Sequence, residues 1–409
     1  MMYRLIVCLL LPLFASTLYA EDIFRLGIIG TDTGHVRAFN EELRSAEAPA
    51  LFSQFRITAA YPGGMPDNPS SWNVVNASAD YLVERNNATL FASVEEMLPH
   101  VDGILLLSQD ARPNFEHAKL VIAAGKPLYI GKPMAASLAD VIEMFRLAEA
   151  NNVPIFSSSS LRFSPGYQEM RNEKPLGNII GARTWAPCLL CPEARQPDMF
   201  WYGIHGVEIL FTLMETGVQT VSRTHTANTD LAVGVWDGGR IGTFRGSRTG
   251  GGVWQYGGYV FAERGNADAG GFGGNRPLVE AFCNFFLTGE PPVAPEETIE
   301  LFAFMEGADI SRDRGGVPVC IAEVIETARN QVRIRADIVV TTGGAVLLDG
   351  NPIAIDRIAP TFDTLVAHTP NSRVKVILRA ERDAPHDVIL AVCNNLGRNA
   401  IIANFLYVR

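Results

Sequence analysis

The sequence has no long basic run and little charge of either sign: 19% of its 409 residues are Asp, Glu, Lys or Arg, and the formal net charge is -10. An acidic chain without a basic stripe suits neither nucleic acid nor an anionic membrane surface, so no nucleic-acid partner is expected. Cysteine is scarce. Of the 6 in the chain only Cys188 and Cys191 lie close together. A zinc site would need two more clustered ligands, and none stands at recognisable spacing, so no metal is expected. The pair stays open to a local disulfide in an oxidising compartment or to a redox role. A twin-arginine pair is also missing near the start. So is an apolar run of the length that spans a bilayer: Leu5 to Phe14 is short for that.

What is there begins with Met1 to Ala20. Arg4 gives a positive start, Leu5 to Phe14 an apolar core, and Ser16 to Ala20 a small-residue end before Glu21 and Asp22. This reads as an export signal at residues 1–20, used unfolded by the general route, with an uncleaved anchor as the alternative. A periplasmic or secreted location is the expectation. The remaining chain is long enough for two or three domains, and its 47% hydrophobic content argues a folded protein.

Phe24 to Leu43, FRLGIIGTDTGHVRAFNEEL, runs from an apolar strand pattern through a turn into a helix pattern marked by Val36, Phe39 and Leu43. Such a strand–turn–helix unit presents backbone N–H groups and the positive helix end to an anion, usually a dinucleotide pyrophosphate. Gly30, Thr31, Asp32, Thr33, Gly34 and His35 are therefore candidate cofactor-binding residues. If Gly30 opens the G-x-G-x-x-G fingerprint, Asp32 and His35 occupy its second and third glycine positions. A carboxylate there is unfavourable beside phosphates unless it caps the helix.

Strand and helix patterns then alternate. Phe55 to Ala60, Ala88 to Phe91, Gly103 to Leu107, Leu128 to Ile130 and Pro154 to Ser157 read as strands. Val74 to Arg85, Pro113 to Ala124 and Ser137 to Ala150 read as helices. This is the pattern of a helix-covered parallel sheet. Ser108, Gly131 and Lys132, at strand ends, join the cofactor candidates. From Leu161 the segments become long, alternating and Gly-punctuated. Leu231 to Trp236 and Ile241 to Phe244 form a hairpin through Asp237-Gly238-Gly239, and Val253 to Phe261 follows. Helices are expected at His205 to Met214, Pro277 to Leu287 and Glu296 to Ser311. The expected class is α/β: a Rossmann domain (doubly wound parallel sheet, 21–160), an α+β domain with an open, mostly antiparallel sheet (161–330), and a small α+β unit (331–409).

Several segments in order resemble the glucose–fructose oxidoreductase / inositol dehydrogenase / MocA family. His117 to Lys126 is similar to its H-x-x-x-A-x-x-A-G-K helix, and Gly131-Lys132-Pro133 stands where it has Glu-Lys-Pro. Leu161 to Pro165 is similar to its Asn-x-Arg-Phe-x-Pro segment. Trp201 to His205 stands where it has Asp-x-Gly-x-His, and Phe286 to Glu297 is close to its T-G-x-x-P run. The resemblance implies NAD or NADP as cofactor and hydride transfer on a sugar or polyol. It implies Lys132 as proton relay and His205 as its partner at the reacting hydroxyl, both catalytic. Arg162, Trp201, His205 and Glu208 would bind the substrate, with Glu208 also open to a metal or acid/base pairing with His205. Four positions depart from the pattern: Gly131 for Glu, Trp201 for Asp, Asp32 in the glycine fingerprint, and no ribose-reading residue after Ala60. A non-catalytic carbohydrate- or partner-binding protein and an NAD-assisted glycoside hydrolase are the alternatives.

The run from Val374 to Arg409, with Val346 to Ile353, resembles the periplasmic domain of ExbD/TolR-type biopolymer transport proteins. Leu5 to Ala20 contains no acidic residue of the kind that couples that family to a proton channel. The resemblance implies a dimerising or envelope-binding module, hence a homo-oligomer or an envelope partner.

Overall fold

The computed structural model describes residues 23–194, 196–249, 255–369, 371–397 and 399–408. The export-signal reading of residues 1–20 lies outside the described residues. Six strands form the first sheet: β1 (Phe24–Ile29), β2 (Phe55–Tyr61), β3 (Thr89–Leu90), β4 (Gly103–Leu106), β5 (Leu128–Gly131) and β6 (Ile155–Ser158), in the order β3-β2-β1-β4-β5-β6, all parallel. From Leu26 onward β1 is buried on both faces, as expected for a central strand between helix layers. The strand order reverses between β1 and β4, and ligands of such sheets bind in the crevice at the carboxyl ends there. That places Gly30–His35, Ser108 and Lys132 around one crevice.

The second sheet contains β7 (Ile179–Pro187), β8 (Val218–His225), β9 (Thr229–Trp236), β10 (Ile241–Ser247), β11 (Gly257–Ala262), β12 (Gly265–Gly270) and β13 (Val319–Cys320), in the order β12-β11-β7-β10-β9-β8-β13. It is antiparallel except where β10 runs parallel to β7. The β9–β10 hairpin turns through Gly238 and Gly239, both at positive φ (66° and 77°), a conformation that glycine adopts without steric cost. Of the expected strand from Val253, residues 253 and 254 lie outside the described residues, and β11 begins at Gly257. The helix Ile204–Met214 is buried along nearly its whole length and packs on β7, β10 and β11 of this sheet. Helix Arg276–Thr288, which follows the second sheet in the chain, packs Leu278, Val279, Phe282 and Cys283 against Phe39, Tyr129 and Phe156 of the Rossmann unit.

The third sheet has β14 (Val332–Val340), β15 (Val346–Leu348), β16 (Asn351–Pro352), β17 (Ser372–Glu381) and β18 (Ala400–Val408), in the order β16-β15-β14-β17-β18. Helices Ile358–Ala367 and His386–Asn394 make the two crossovers between the parallel strands β14, β17 and β18. The sheet is docked on the Rossmann domain. Lys375 Nζ donates to Asp140 Oδ2 at 2.6 Å with both side chains buried, and Arg333 donates to Asp140 Oδ1 at 3.3 Å. Met65 joins the core of this third unit, and Trp72 packs against Phe405 and Tyr407. No described helix is long and apolar enough to cross a membrane.

Candidate active site

Lys132 follows β5 directly, so the buried strand carries its side chain to the mouth of the crevice. Its Nζ donates to the carbonyl of Trp201 at 3.3 Å and lies 4.8 Å from the centre of the Tyr202 ring. Burial lowers its pKa to about 8. The Gly131 in front of it brings no carboxylate to oppose that fall. A Cβ at residue 131 would make only ordinary contacts with Leu106 and Leu107, so space does not dictate the glycine.

His205 stands in the first turn of the Ile204–Met214 helix. Ser159 Oγ, 2.7 Å from its Nδ1, also accepts from the Leu161 N–H at 3.3 Å. The hydroxyl can accept from an Nδ1–H or donate to a bare Nδ1; where it donates, the imidazole proton sits on Nε2. Burial first, then the nearby Lys132 and His35, hold the His205 pKa well below its ordinary value, so the ring is neutral. Tyr202 and Tyr256 flank it, with ring centres at 5.4 and 5.5 Å. The crevice thus brings together Lys132, His205, Tyr202, Tyr256 and His35. His35 stacks on Phe39 at 4.9 Å, and its pKa falls to about 4, again through burial and Lys132.

Arg162 and Glu208 do not join this group. Arg162 Nε donates to Glu208 Oε1 at 2.5 Å and its Nη1 to Glu297 Oε1 at 2.6 Å. Arg171 closes the cluster on Glu297, and Ser158 Oγ donates to Glu208 at 3.1 Å. All three charged groups at its centre are buried. Burial raises the Glu208 pKa against the opposing pull of Arg162. The geometry therefore gives Glu208 to Arg162 rather than to His205, and among the described residues no cluster of His, Cys, Asp or Glu could hold a metal. Trp201 serves through its main chain: its side chain is buried, and its carbonyl receives Lys132. Cys188 and Cys191 are both free thiols.

The turn after β1 differs from the expectation at Asp32. The residue caps no helix; the Ncap is Gly34, with no side-chain hydrogen bond. Asp32 is instead fully buried, accepting from Ser71 Oγ at 2.6 Å and from the Gln109 N–H at 3.1 Å. Burial raises its pKa to about 6. Ser71 lies in a helical turn, Pro69–Trp72, capped by Asn68. That segment is latched by Asn68 on Asp110 and by Arg112, whose buried guanidinium bridges Asp67 and Asp110. Gly30 is required where it stands: at φ 85°, its added Cβ would fall 2.4–2.7 Å from atoms of Ser108. Thr31 donates its hydroxyl to the Val75 carbonyl at 2.8 Å.

A dinucleotide pyrophosphate would find usable donors here. Among the described residues the N-terminus of the His35–Arg44 helix has no side-chain cap, the space beside Gly34 is open, and the buried Ser108 Oγ has no hydrogen-bond partner. The Asp32 carboxylate is covered by its own partners. Gly34, His35 and Ser108 therefore fit the group, while no acidic or basic residue follows β2 to read the ribose: the chain continues Tyr61-Pro62-Gly63-Gly64.

Sequence reasoning missed Ser159, Tyr202, Tyr256 and the Ser71–Gln109 hold on Asp32. Tyr202 lies inside the segment that contains His205, and Ser159 inside the run Ser157 to Ser160, so position alone could have flagged both. Nothing local marks Tyr256 or Ser71.

Comparison with known proteins agrees with this geometry. Residues 24–158 match the model of an oxidoreductase family with an NAD-binding Rossmann fold, the glucose–fructose oxidoreductase / inositol dehydrogenase / MocA family. An uncharacterized oxidoreductase of Streptococcus pneumoniae is 26% identical over 171 residues, 36% of this chain and 44% of that protein. One of Synechocystis sp. is 29% identical over 109 residues, 25% of this chain and 29% of that protein. The chain therefore spans less than half the length of these two relatives. Among solved structures, a probable dehydrogenase from Thermotoga maritima superposes with a TM-score of 0.62 at 18% identity, covering 74% of this chain and all of that one. Scyllo-inositol dehydrogenase from Lactobacillus casei, solved with NAD(H) and scyllo-inositol, gives 0.58 at 12% identity, covering 73% of this chain and 99% of that one. Sheet order, crevice and family match converge: residues 24–158 form a parallel Rossmann-type sheet and match the NAD-binding Rossmann fold of that oxidoreductase family.

Proposed function

We propose that this protein is a nicotinamide-dinucleotide-dependent oxidoreductase acting on a CH–OH group of a sugar or polyol. The observation that carries the reading is Lys132: a shielded amine with a pKa lowered to about 8, beside a neutral His205 held by Ser159. A group poised near the working pH is what proton removal from a carbinol requires. Inositol dehydrogenases among the structural neighbours add support, since their bound ligands are polyols.

In the oxidising direction, neutral Lys132 takes the hydroxyl proton while His205 Nε2–H donates to the same oxygen and fixes its position. Trp201 and Tyr202 hold the lysine in place before and after it charges. The dinucleotide, when bound, supplies the hydride acceptor; Gly34, His35 and Ser108 would hold it. In the reducing direction the protonated lysine returns the proton.

The buried Asp32 favours a second reading, a carbohydrate-binding protein on a dehydrogenase scaffold, because an ionised carboxylate beside the phosphate cradle weakens it. The same proposal places the protein outside the cytoplasm, on the strength of residues 1–20 and the ExbD/TolR resemblance of residues 331–409, with that last unit as the envelope contact. Mass spectrometry of nucleotide released on denaturation, followed by turnover assays over a panel of sugars and polyols, tests the enzyme reading. Retained or titratable NAD(P) with turnover lost in Lys132→Ala upholds it. An empty site that ignores added cofactor transfers the assignment to the binding protein.

A further inference from the structure

Beside the catalytic group a second concavity opens at the edge of the second sheet, with a volume of about 650 Å³, lined by Trp185, Gln255, Tyr256, Asp268 and Phe272. That size falls within the roughly 300–1,000 Å³ of small-molecule clefts. Trp185 on β7 lies flat against β11. A Cβ at residue 257, its cross-strand partner, would fall 2.0 Å from the indole, so glycine alone leaves room for the ring. Phe272 is 52% exposed, a high value for a large aromatic. Tyr256 joins this concavity to the chemistry: its ring centre is 5.5 Å from His205 on one side and 6.5 Å from Phe272 on the other. Asp268 accepts from the Gly270 N–H through Oδ1 at 2.6 Å, and its Oδ2 makes no hydrogen bond among the described residues.

Aromatic faces with a few polar groups at their rim suit a ring that is apolar on its faces and hydroxylated at its edge. From this we infer that the concavity is a subsite for a second sugar unit, and that the substrate is a glycoside or oligosaccharide rather than a free monosaccharide. The reacting unit lies at Lys132 and His205, and the next unit lies over Trp185 and Phe272, with Gln255 and Asp268 on its hydroxyls. The inference rests on the oxidoreductase reading for the position of the reacting unit, but the subsite is a binding statement and can be tested separately.

The test is binding of the purified full-length protein to an array of neutral and acidic mono- to pentasaccharides, with affinities of the hits measured by calorimetry. The expected result is affinity at least about tenfold higher for two or more units than for the corresponding monosaccharide, the size of one aromatic contact. Trp185→Ala and the exposed Phe272→Ala should each reduce that gain several-fold and leave monosaccharide binding unchanged. Length-independent binding, no binding across the array, or an undiminished gain in both variants overturns the subsite. Length-dependent binding without turnover of any bound sugar would retain the subsite and refute the oxidoreductase reading. Monosaccharide turnover without a length effect would do the reverse.

Discussion

Lys132 Nζ lies 4.8 Å over the Tyr202 ring and 3.3 Å from the Trp201 carbonyl, and among the described residues no carboxylate pairs with it. The ring and the carbonyl both favour the charged amine, but burial outweighs them and lowers the pKa to about 8. The amine is thus neutral above that value and charged below it. Oxidation of the alcohol should therefore accelerate as pH rises through about 8, and carbonyl reduction should decline over the same interval. Lys132→Ala should lower kcat by about 10²–10⁴-fold and abolish the inflection. Lys132→Met should do the same to turnover while raising the melting temperature, because it removes a shielded charge without an ionic partner. Rate profiles against pH and thermal melts check all three.

Ser159 Oγ lies 2.7 Å from His205 Nδ1, and with the hydroxyl donating, the imidazole proton is fixed on Nε2 as the proposed mechanism requires. In Ser159→Ala the ring loses that donor, and either nitrogen can carry the proton. The expected outcome is a fall of about tenfold in kcat with little change in KM for the dinucleotide, since the serine touches the imidazole and not the cofactor cradle. Steady-state kinetics with each substrate varied in turn would reveal it. An equal loss in both KM values would contradict the assignment.

Asp32 is held by Ser71 and Gln109 in the turn that meets the phosphates, and its pKa stands at about 6 because burial disfavours the charge. The folded chain holds this proton more tightly than the unfolded chain does. The site's contribution to stability is therefore full below the unfolded value and is lost as pH rises through about 6. Asp32→Asn keeps an oxygen for the Gln109 N–H and removes the charge. It should flatten that part of the stability profile and tighten NAD(P) binding about tenfold at neutral pH, an effect of one nearby like charge. Urea melts and cofactor titrations at pH 5 and pH 8 measure both.

Glu208 offers the contrast between a sugar contact and a structural ion. Its partner Arg162 is buried and shared with Glu297. Removing one member of such a group leaves a buried charge uncompensated, so Glu208→Ala should destabilise the fold by about 3–5 kcal/mol. Substrate affinity measured well below the melting transition should hold. A selective rise in sugar KM with unchanged stability would return Glu208 to the binding site.

The parts of this molecule legible in the sequence are those set by local pattern. The six parallel strands and the β9–β10 hairpin at Gly238 and Gly239 follow from periodicity and turn chemistry. Lys132 and His205 were legible as a pair through their motifs, and the crevice does bring them together. For Glu208, helical spacing from His205 says which residues share a helix, and not that Arg162 lies opposite. Local logic puts Asp32 among the cofactor-turn residues, unfavourable there unless it caps the helix, but its partners stand 39 and 77 residues away. Pairings over such separations belong to tertiary structure, and no window of sequence holds them.

The C-terminal unit carries the remaining prediction. Burial alone would raise Asp140, but Lys375, Ser137 and Arg333 hold its pKa below the ordinary value, so the carboxylate is charged throughout the working range. Lys375→Met would leave that charge with Ser137 and the partly exposed Arg333 as its remaining partners. The contact should weaken by about 3–5 kcal/mol, the usual cost of breaking a buried pair. The consequence reaches the cofactor turn through the chain itself. Met65 is part of the third unit's core, Trp72 packs on Phe405 and Tyr407, and Ser71 between them holds Asp32. Loosening the docked sheet should free residues 65–72, so amide exchange in Lys375→Met should rise in both that segment and β18 while the second sheet stays protected. Exchange that rises in β18 alone would mean that the segment is held by Arg112, Asp67 and Asp110 without help from the third unit.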